Sequence, residues 1–258
     1  MTTEQLRAAL TVRQFPLSSK YDLEWLCENE MGPTSAWLTE FLIRDMNIQP
    51  GMRILDMGCG RAVSSIFLAK ELGVTVFAND LWIDPTDNWK RIEEAGLTGR
   101  VFPIRAEAHA LPYAKGFFDA IVSLDAYHYF GTDDMFLSSF AQYLKTGGEI
   151  GIVVPGVVKE FDGRIPERLK PYWEPYLFTH HSPEWWRKHF ENSGSVEVVL
   201  ADAMPNGYEL WLKWDKTLKD AGRLKRSGDV DMLVADGGNF TFTRVIARKR
   251  SQRMFGNA

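Results

Sequence analysis

Leu55-Asp56-Met57-Gly58-Cys59-Gly60-Arg61-Ala62 is the stretch that decides how this chain folds. An apolar strand runs into an acid, then a Gly-x-Gly turn, then a helix. Two glycines let the backbone approach a ligand closely at the carboxyl edge of a sheet, where open α/β folds bind. Working outward, residues 53–57 are predicted as the first strand, and a helix over 62–72 stops at Gly73. A second strand follows at 74–78, then a helix over 86–95 with Thr86 as its N-cap and Gly96 just past its end. Strands at 101–104 and 119–124 come next, then a helix over 134–144 ended by Gly147-Gly148, then a fifth strand at 149–154. This alternation is the signature of a parallel sheet with crossover helices.

Pro155 is expected to stop the alternation. Residues 156–181 mix prolines, glycines and aromatics without a period and read as an insertion over the ligand edge. Ser182-Pro183-Glu184 restarts order as an N-cap followed by proline at the first helical position. A strand at 196–200, a helix over 208–221 and a strand at 240–247 complete seven strands. The first fifty residues read as helices, including an amphipathic one near 35–46, packed across the ligand edge.

The Gly-x-Gly turn has a rival reading as a nicotinamide dinucleotide site. That fingerprint needs a third glycine for close helix–strand packing, and Val63 stands there instead. Asp56 also places a carboxylate where pyrophosphate would be repelled. The same charge suits a ligand carrying an ammonium and a sulfonium, so electrostatics favour S-adenosylmethionine over NAD. Asp80 lies about twenty residues beyond the turn and either accepts the ribose hydroxyls of a nucleoside or caps its own turn. Leu81 and Trp82 can cover an adenine face. Glu107, in Ala106-Glu107-Ala108, either receives the adenine amine or is a solvated loop carboxylate.

The chain has 258 residues and a formal charge of −4, which argues against a nucleic-acid partner, since phosphate binding needs a concentrated basic face. Its one basic cluster, Arg244, Arg248, Lys249, Arg250 and Arg253, reads as a solvated strand end and tail. Cys27 and Cys59 form no CxxC pair or zinc spacing and fit a reduced compartment. With no apolar signal segment and no bilayer-length apolar run, the expectation is a cytoplasmic protein without a membrane span.

The ordered set LDMGCG, AND, RAEAHALPY, FFDAIVSLDAYHYF and LKTGGEIGIVVPG resembles the class I S-adenosylmethionine-dependent methyltransferases, in particular the quinone-biosynthesis-type subgroup acting on small molecules. The resemblance covers roughly residues 50–155. It implies a Rossmann-like α/β fold: a seven-stranded, mostly parallel sheet with helices on both faces. It also implies that Asp56, Gly58, Cys59 and Gly60 border the methionine moiety, with turn carbonyls taking its ammonium. Asp80 and Leu81 then meet the ribose side, Glu107 and Ala108 the adenine, and Leu124 the nucleoside. Glutamate at 107 departs from the commoner aspartate, lengthening the reach without changing the charge. The whole chain is expected to form one methyltransferase domain, with 1–49 as a helical cap, 50–155 as the cofactor core, 156–181 as a substrate lid and 182–258 as the rest of the sheet.

Methyl transfer from a sulfonium is an in-line displacement, so the protein contributes alignment, a dry pocket and, where the nucleophile arrives protonated, a base. His128, four residues past the fourth strand, is the candidate base or acceptor contact, with Tyr127 beside it; the bland reading is a packed histidine. His181 and Trp185 are read as an acceptor wall near His180 and Trp186, and a metal pair is disfavoured because no carboxylate or cysteine supports the histidines at helical spacing. Trp173, Trp185, Trp186, Trp211 and Trp214 form either core packing or an aromatic wall for a planar or cationic acceptor. The alternatives to a small-molecule methyltransferase are a non-catalytic cofactor-binding partner protein and a cyclopropane-synthase-like enzyme acting on lipid chains.

Overall fold

β1 (Arg53–Met57) lies inside a sheet whose order is β3-β2-β1-β4-β5-β7-β6, seven strands among the described residues. The computed structural model describes residues 1–223 and 228–251. β2 (Thr75–Asp80), β3 (Val101–Arg105), β4 (Phe118–Leu124) and β5 (Leu144–Val157) run parallel to β1. β7 (Phe240–Lys249) is antiparallel to both β5 and β6 (Val196–Ala203). The chain leaves β1 for β2 on one side and returns to β4 on the other. That reversal opens a crevice beyond the carboxyl ends of β1 and β4, the place where such sheets take ligands.

Nearly every residue of β1 and β4 is buried, as a parallel sheet covered on both faces requires. One face is covered by α4 (Val63–Leu72) and α3 (Ser35–Ile43), the other by aromatics around Phe118, Phe136, Phe140 and Phe190. α3 is not amphipathic. Its residues 36–42 are all buried, because the helix is covered by α4 on one side and β5 on the other. Glu40 survives there by accepting bonds from Ser18 N (2.7 Å) and Ser18 Oγ (2.8 Å).

Several expected boundaries move. The cap of α5 (Pro85–Glu94) is Asp84, whose carboxylate accepts from Thr86 N at 2.8 Å, so Thr86 is inside the helix. The helix expected over 134–144 shrinks to α6 (Phe136–Phe140) with one tighter turn, and β5 already begins at Leu144. Gly147 and Gly148 are therefore strand residues. A Cβ on Gly148 would sit 2.6 Å from Asp119 O, so this glycine permits close approach of β5 to β4 where their register shifts. β5 also runs through Pro155, which pairs with Phe242 of β7; the last pairing with β4 is at Val153, so no ladder on that side is interrupted.

After β5 come two short 3-10 turns, Glu167–Tyr172 and Pro175–Thr179, then α7 (Pro183–Asn192), capped by Ser182 as expected. α8 (Gly207–Asp220) precedes a helix that the sequence pattern did not suggest, α9 (Gly228–Asp236). The basic cluster is largely structural. Arg244, 4% exposed, makes a two-pronged bond to Asp202 (2.9 and 2.8 Å), reaches Phe41 O at 2.7 Å and stacks on the Phe41 ring. Arg248 pairs with Glu149 and Lys249 bonds Leu144 O; Arg253 lies outside the described residues.

Candidate active site

The turn after β1 is held from β2. Gly58 N and Cys59 N both donate to Asn79 O (2.8 and 3.0 Å), and Gly60 N donates to Asp80 Oδ2 at 2.8 Å. Gly58 and Gly60 have φ of 77° and 52°, the left-handed region that glycine adopts without strain. A Cβ on Gly58 would lie 2.3 Å from the Ala126 Cβ, so the loop after β4 also requires a glycine here. The other oxygen of Asp80 accepts from Trp82 N (2.8 Å) and Ile83 N (3.0 Å). Asp80 is thus a turn cap and a wall of the crevice at once. A carboxylate offers about four acceptor sites; three are taken, leaving one on Oδ2.

Asp56 is fully buried beneath the turn, its Oδ2 accepting from the Ser64 and Ser65 hydroxyls at 2.6 Å each, while Oδ1 has no partner. Desolvation, opposed by the two serines, pushes its pKa up to about 6. Polar scaffolding that sequence reasoning did not single out holds the same region. Tyr113 donates to Asn79 Oδ1 (2.6 Å), and Asn88 Nδ2 donates to Gly60 O (2.9 Å), using one lone pair of a turn carbonyl.

Above this turn lies a cavity of about 430 Å³, within the range of sites for small organic ligands. One side is the sheet edge: Gly58, Gly60, Asp80, Leu81, Glu107 and Ala108. Glu107 accepts from His109 N (2.9 Å) and contacts His109 Nδ1 at 2.7 Å. The opposite side comes from four separate places: residues 30–33 after α2 (Leu23–Asn29), Tyr176 to His180 of the insertion, the Trp211–Trp214–Asp215–Leu218 face of α8, and Asp229 and Met232 of α9. The N-terminal segment is pressed close. A Cβ on Gly32 would overlap Asp125 Oδ2, and Met31 Sδ would lie 3.0 Å from a Cβ on Gly60.

His128 joins the two sides. It lines the cavity, is 1% exposed, and its Nδ1 has no hydrogen-bond partner. Burial alone pushes its pKa down to about 3, so the ring is neutral near pH 7. His180 lies 5.5 Å away, ring to ring, with both nitrogens unpartnered, and burial lowers its pKa as well.

The structure brings Gly58, Gly60, Asp80, Leu81, Glu107, Ala108 and His128 to one cavity; Cys59 lines a small adjoining recess. Asp56 and Leu124 sit in the buried layer below. Tyr127 is buried in an aromatic cluster with Phe136, Phe190 and Trp186. His181 stacks on Trp185 at 3.6 Å and bonds Glu160, outside the lining. Glu30, Asp125 and Asp215 line the cavity although sequence reasoning passed over them. Asp215 did carry a legible signal: with Trp211, Trp214 and Leu218 it occupies positions i, i+3, i+4 and i+7, a carboxylate inside an apolar helical stripe. Among the described residues no helix is long and apolar enough to cross a membrane, and no cluster of three or more His, Cys, Asp or Glu side chains is placed to hold a metal ion.

Residues 54–148 match the family model described as a methyltransferase domain. Methyltransferase GfsG from Streptomyces halstedii is 29% identical over 134 residues, covering 50% of this chain and 48% of that protein. The chain thus matches about half the length of this relative. Phosphoethanolamine N-methyltransferase 2 of Haemonchus contortus, solved with phosphomonomethylethanolamine and S-adenosylhomocysteine, has a TM-score of 0.71 at 20% identity over 95% of this chain and 60% of that one. The [4+2]-cyclase SpnF has a TM-score of 0.69 at 18% identity, covering 92% of this chain and 96% of that one. Likeness at these identities establishes the fold. Residues 54–148, which carry the glycine turn and the acid after it, are thus similar to a methyltransferase domain, and the chain shares the fold of solved S-adenosylmethionine-dependent methyltransferases.

Proposed function

We propose that the protein transfers the methyl group of S-adenosylmethionine to a polar small molecule. One observation carries this reading: a single cavity has a nucleoside-type edge on one side and two unpartnered imidazoles on the other. Gly58 and Gly60 leave room for the methionine end, the spare acceptor site on Asp80 takes a ribose hydroxyl, and Glu107 with Ala108 borders the adenine. Bound there, the sulfonium supplies the electrophilic methyl group. The chain's own part is to hold the nucleophile in line and exclude water. His128, neutral and unpartnered, accepts a hydrogen bond from the acceptor. With its pKa near 3 it stores a proton poorly, so orientation is its main contribution.

Residues 1–49 and 156–181 act as cap and lid over this chamber, since Met31, Gly32, Tyr176 and His180 all line it. The carboxylates and imidazoles of the wall favour a polar acceptor over an alkyl chain. Net negative charge favours a small molecule over nucleic acid. Cys27 and Cys59 are thiols and not a disulfide, which suits action in the cytoplasm. Calorimetry with S-adenosylmethionine and S-adenosylhomocysteine, followed by single-turnover transfer of labelled methyl groups to a metabolite extract, tests the reading. Binding with transfer is expected. Binding without any transfer would make the chain a cofactor-holding partner protein instead.

A further inference from the structure

The wall opposite the glycine turn holds two buried acids whose carboxyl groups are only partly hydrogen-bonded. Glu30 (8% exposed) and Asp215 (4% exposed) both line the cavity, and Glu30 Oε1 and Asp215 Oδ2 are buried without a hydrogen-bond partner. Asp125 and Asp229 line the same chamber. The one described cationic side chain in the lining, Arg223, is already paired with Glu24. Trp211 and Trp214 flank Asp215 on the same helix face and also line the cavity. Trp214 is fixed by an edge contact with Trp37, ring centroids 5.0 Å apart, so this wall is preformed.

Buried carboxyl groups are normally paired or fully hydrogen-bonded, because an unmatched one is costly to bury. Two such groups with free oxygens, beside two indoles, are matched by a ligand that brings positive charge and a low-hydration surface. Carboxylates supply Coulomb attraction, and indole faces add attraction for organic cations. A cation would draw both acids into their ionised form, which a neutral ligand cannot do and an anionic ligand would oppose.

We propose that Glu30 and Asp215, with Trp211 and Trp214, form a subsite for a positively charged nitrogen group of the acceptor, so that the substrate class is a cationic amine. This rests on the chamber being the acceptor site of a methyltransferase. Desolvation and the neighbouring Asp229, only partly opposed by the Trp211 indole N–H, raise the pKa of Asp215 to about 7, and a bound cation would relieve that imbalance. Glu30 is raised in the same way, with Asp215 and Asp125 among the charges acting on it.

The test uses two matched pairs of probes: choline with its neutral isostere 3,3-dimethyl-1-butanol, and phenethylamine with 2-phenylethanol. Binding of each to the full chain is measured by ligand-observed NMR and calorimetry in saturating S-adenosylhomocysteine. The cation is expected to bind at least tenfold more tightly in one pair or both. The preference is expected to fall below threefold in Asp215→Asn and in Glu30→Gln, while S-adenosylhomocysteine affinity stays within twofold of wild type as a check on folding. Equal binding of cation and isostere in both pairs, or a preference that survives in the double variant, would overturn the subsite. A cation preference in a protein that does not bind S-adenosylhomocysteine would support the subsite and refute the methyltransferase reading.

Discussion

Replacing Asp80 by alanine separates its structural role from its ligand role. The side chain is 7% exposed and accepts from three backbone N–H groups, those of Gly60, Trp82 and Ile83. Alanine leaves all three without that partner. A buried donor left unsatisfied costs about 1–3 kcal/mol. Leu81 and Trp82 are exposed, so water can reach the amides of their turn, and the Gly60 amide carries most of the penalty. A total of about 2–3 kcal/mol is expected, read as a lower urea midpoint at unchanged slope. The ligand role adds to this. With one acceptor site left, Asp80 can take one ribose hydroxyl, not two, and one bond to a charged acceptor is worth about 1.5–3 kcal/mol. S-adenosylhomocysteine affinity should therefore fall about 10- to 150-fold in the folded variant. Asp80→Asn should keep the bonds from Trp82 and Ile83 but turn an NH₂ toward the Gly60 amide, losing that link. A loss well beyond 1000-fold would mean the carboxylate releases its turn and takes both hydroxyls. An alanine variant with wild-type stability and affinity would refute both roles.

Three further outcomes follow from the same geometry. The folded-state pKa of Asp56 is raised from 3.8 to about 6, so its contribution to stability is fully present below pH 3.8 and is lost as pH rises through 6, a swing of about 3 kcal/mol; Asp56→Asn should melt progressively higher than wild type between pH 4 and 7, and a pH-independent gap would remove this explanation. Arg244→Met should cost about 2–3 kcal/mol by urea denaturation, below the usual range for a broken buried pair because Asp202 and Asp45 are partly solvated; a loss under 1 kcal/mol would show the arginine to be incidental. His128→Ala should raise the acceptor KM with turnover reduced about tenfold and cofactor affinity intact, and a stable variant with an unaltered acceptor KM would exclude His128 from acceptor contact.

How far the sequence was legible depends on whether a residue's role is local. The glycine turn, Asp80 and the strands that carry them are local: strand, acid, Gly-x-Gly and helix all occur within one short segment, and the structure places β1 at Arg53–Met57 as expected. Gly147 and Gly148 misled because a glycine pair is the usual stop signal for a helix, whereas here both are strand residues and Gly148 permits the close approach of β5 to β4, a partner invisible in the local pattern. α3 was misread as amphipathic because its polar residues are satisfied while buried, Thr39 by the Ser35 carbonyl one turn back and Glu40 by Ser18 at a separation of 22 residues. Arg244 read as a solvated strand end for the same reason: Asp202 and Phe41 lie far from it in sequence.

The same division separates the two halves of the site. Gly58, Gly60, Asp80, Glu107 and His128 all fall inside the family-model match at 54–148. Glu30, Met31, Tyr176, His180, Trp211, Trp214 and Asp215 all fall outside it. The glycine-turn edge therefore lies in the segment that matches the methyltransferase family model, and the opposing wall is assembled from segments outside that match. A fold shared with the [4+2]-cyclase SpnF shows that this scaffold does not dictate one reaction. What the chain acts on must be read from the wall, where two buried carboxyl oxygens and three imidazole nitrogens stand without partners. Buried polar groups without protein partners are costly to keep. The chemistry that would satisfy them, a cation toward Glu30 and Asp215 and a hydrogen-bond donor toward His128 and His180, describes the acceptor more closely than the fold can.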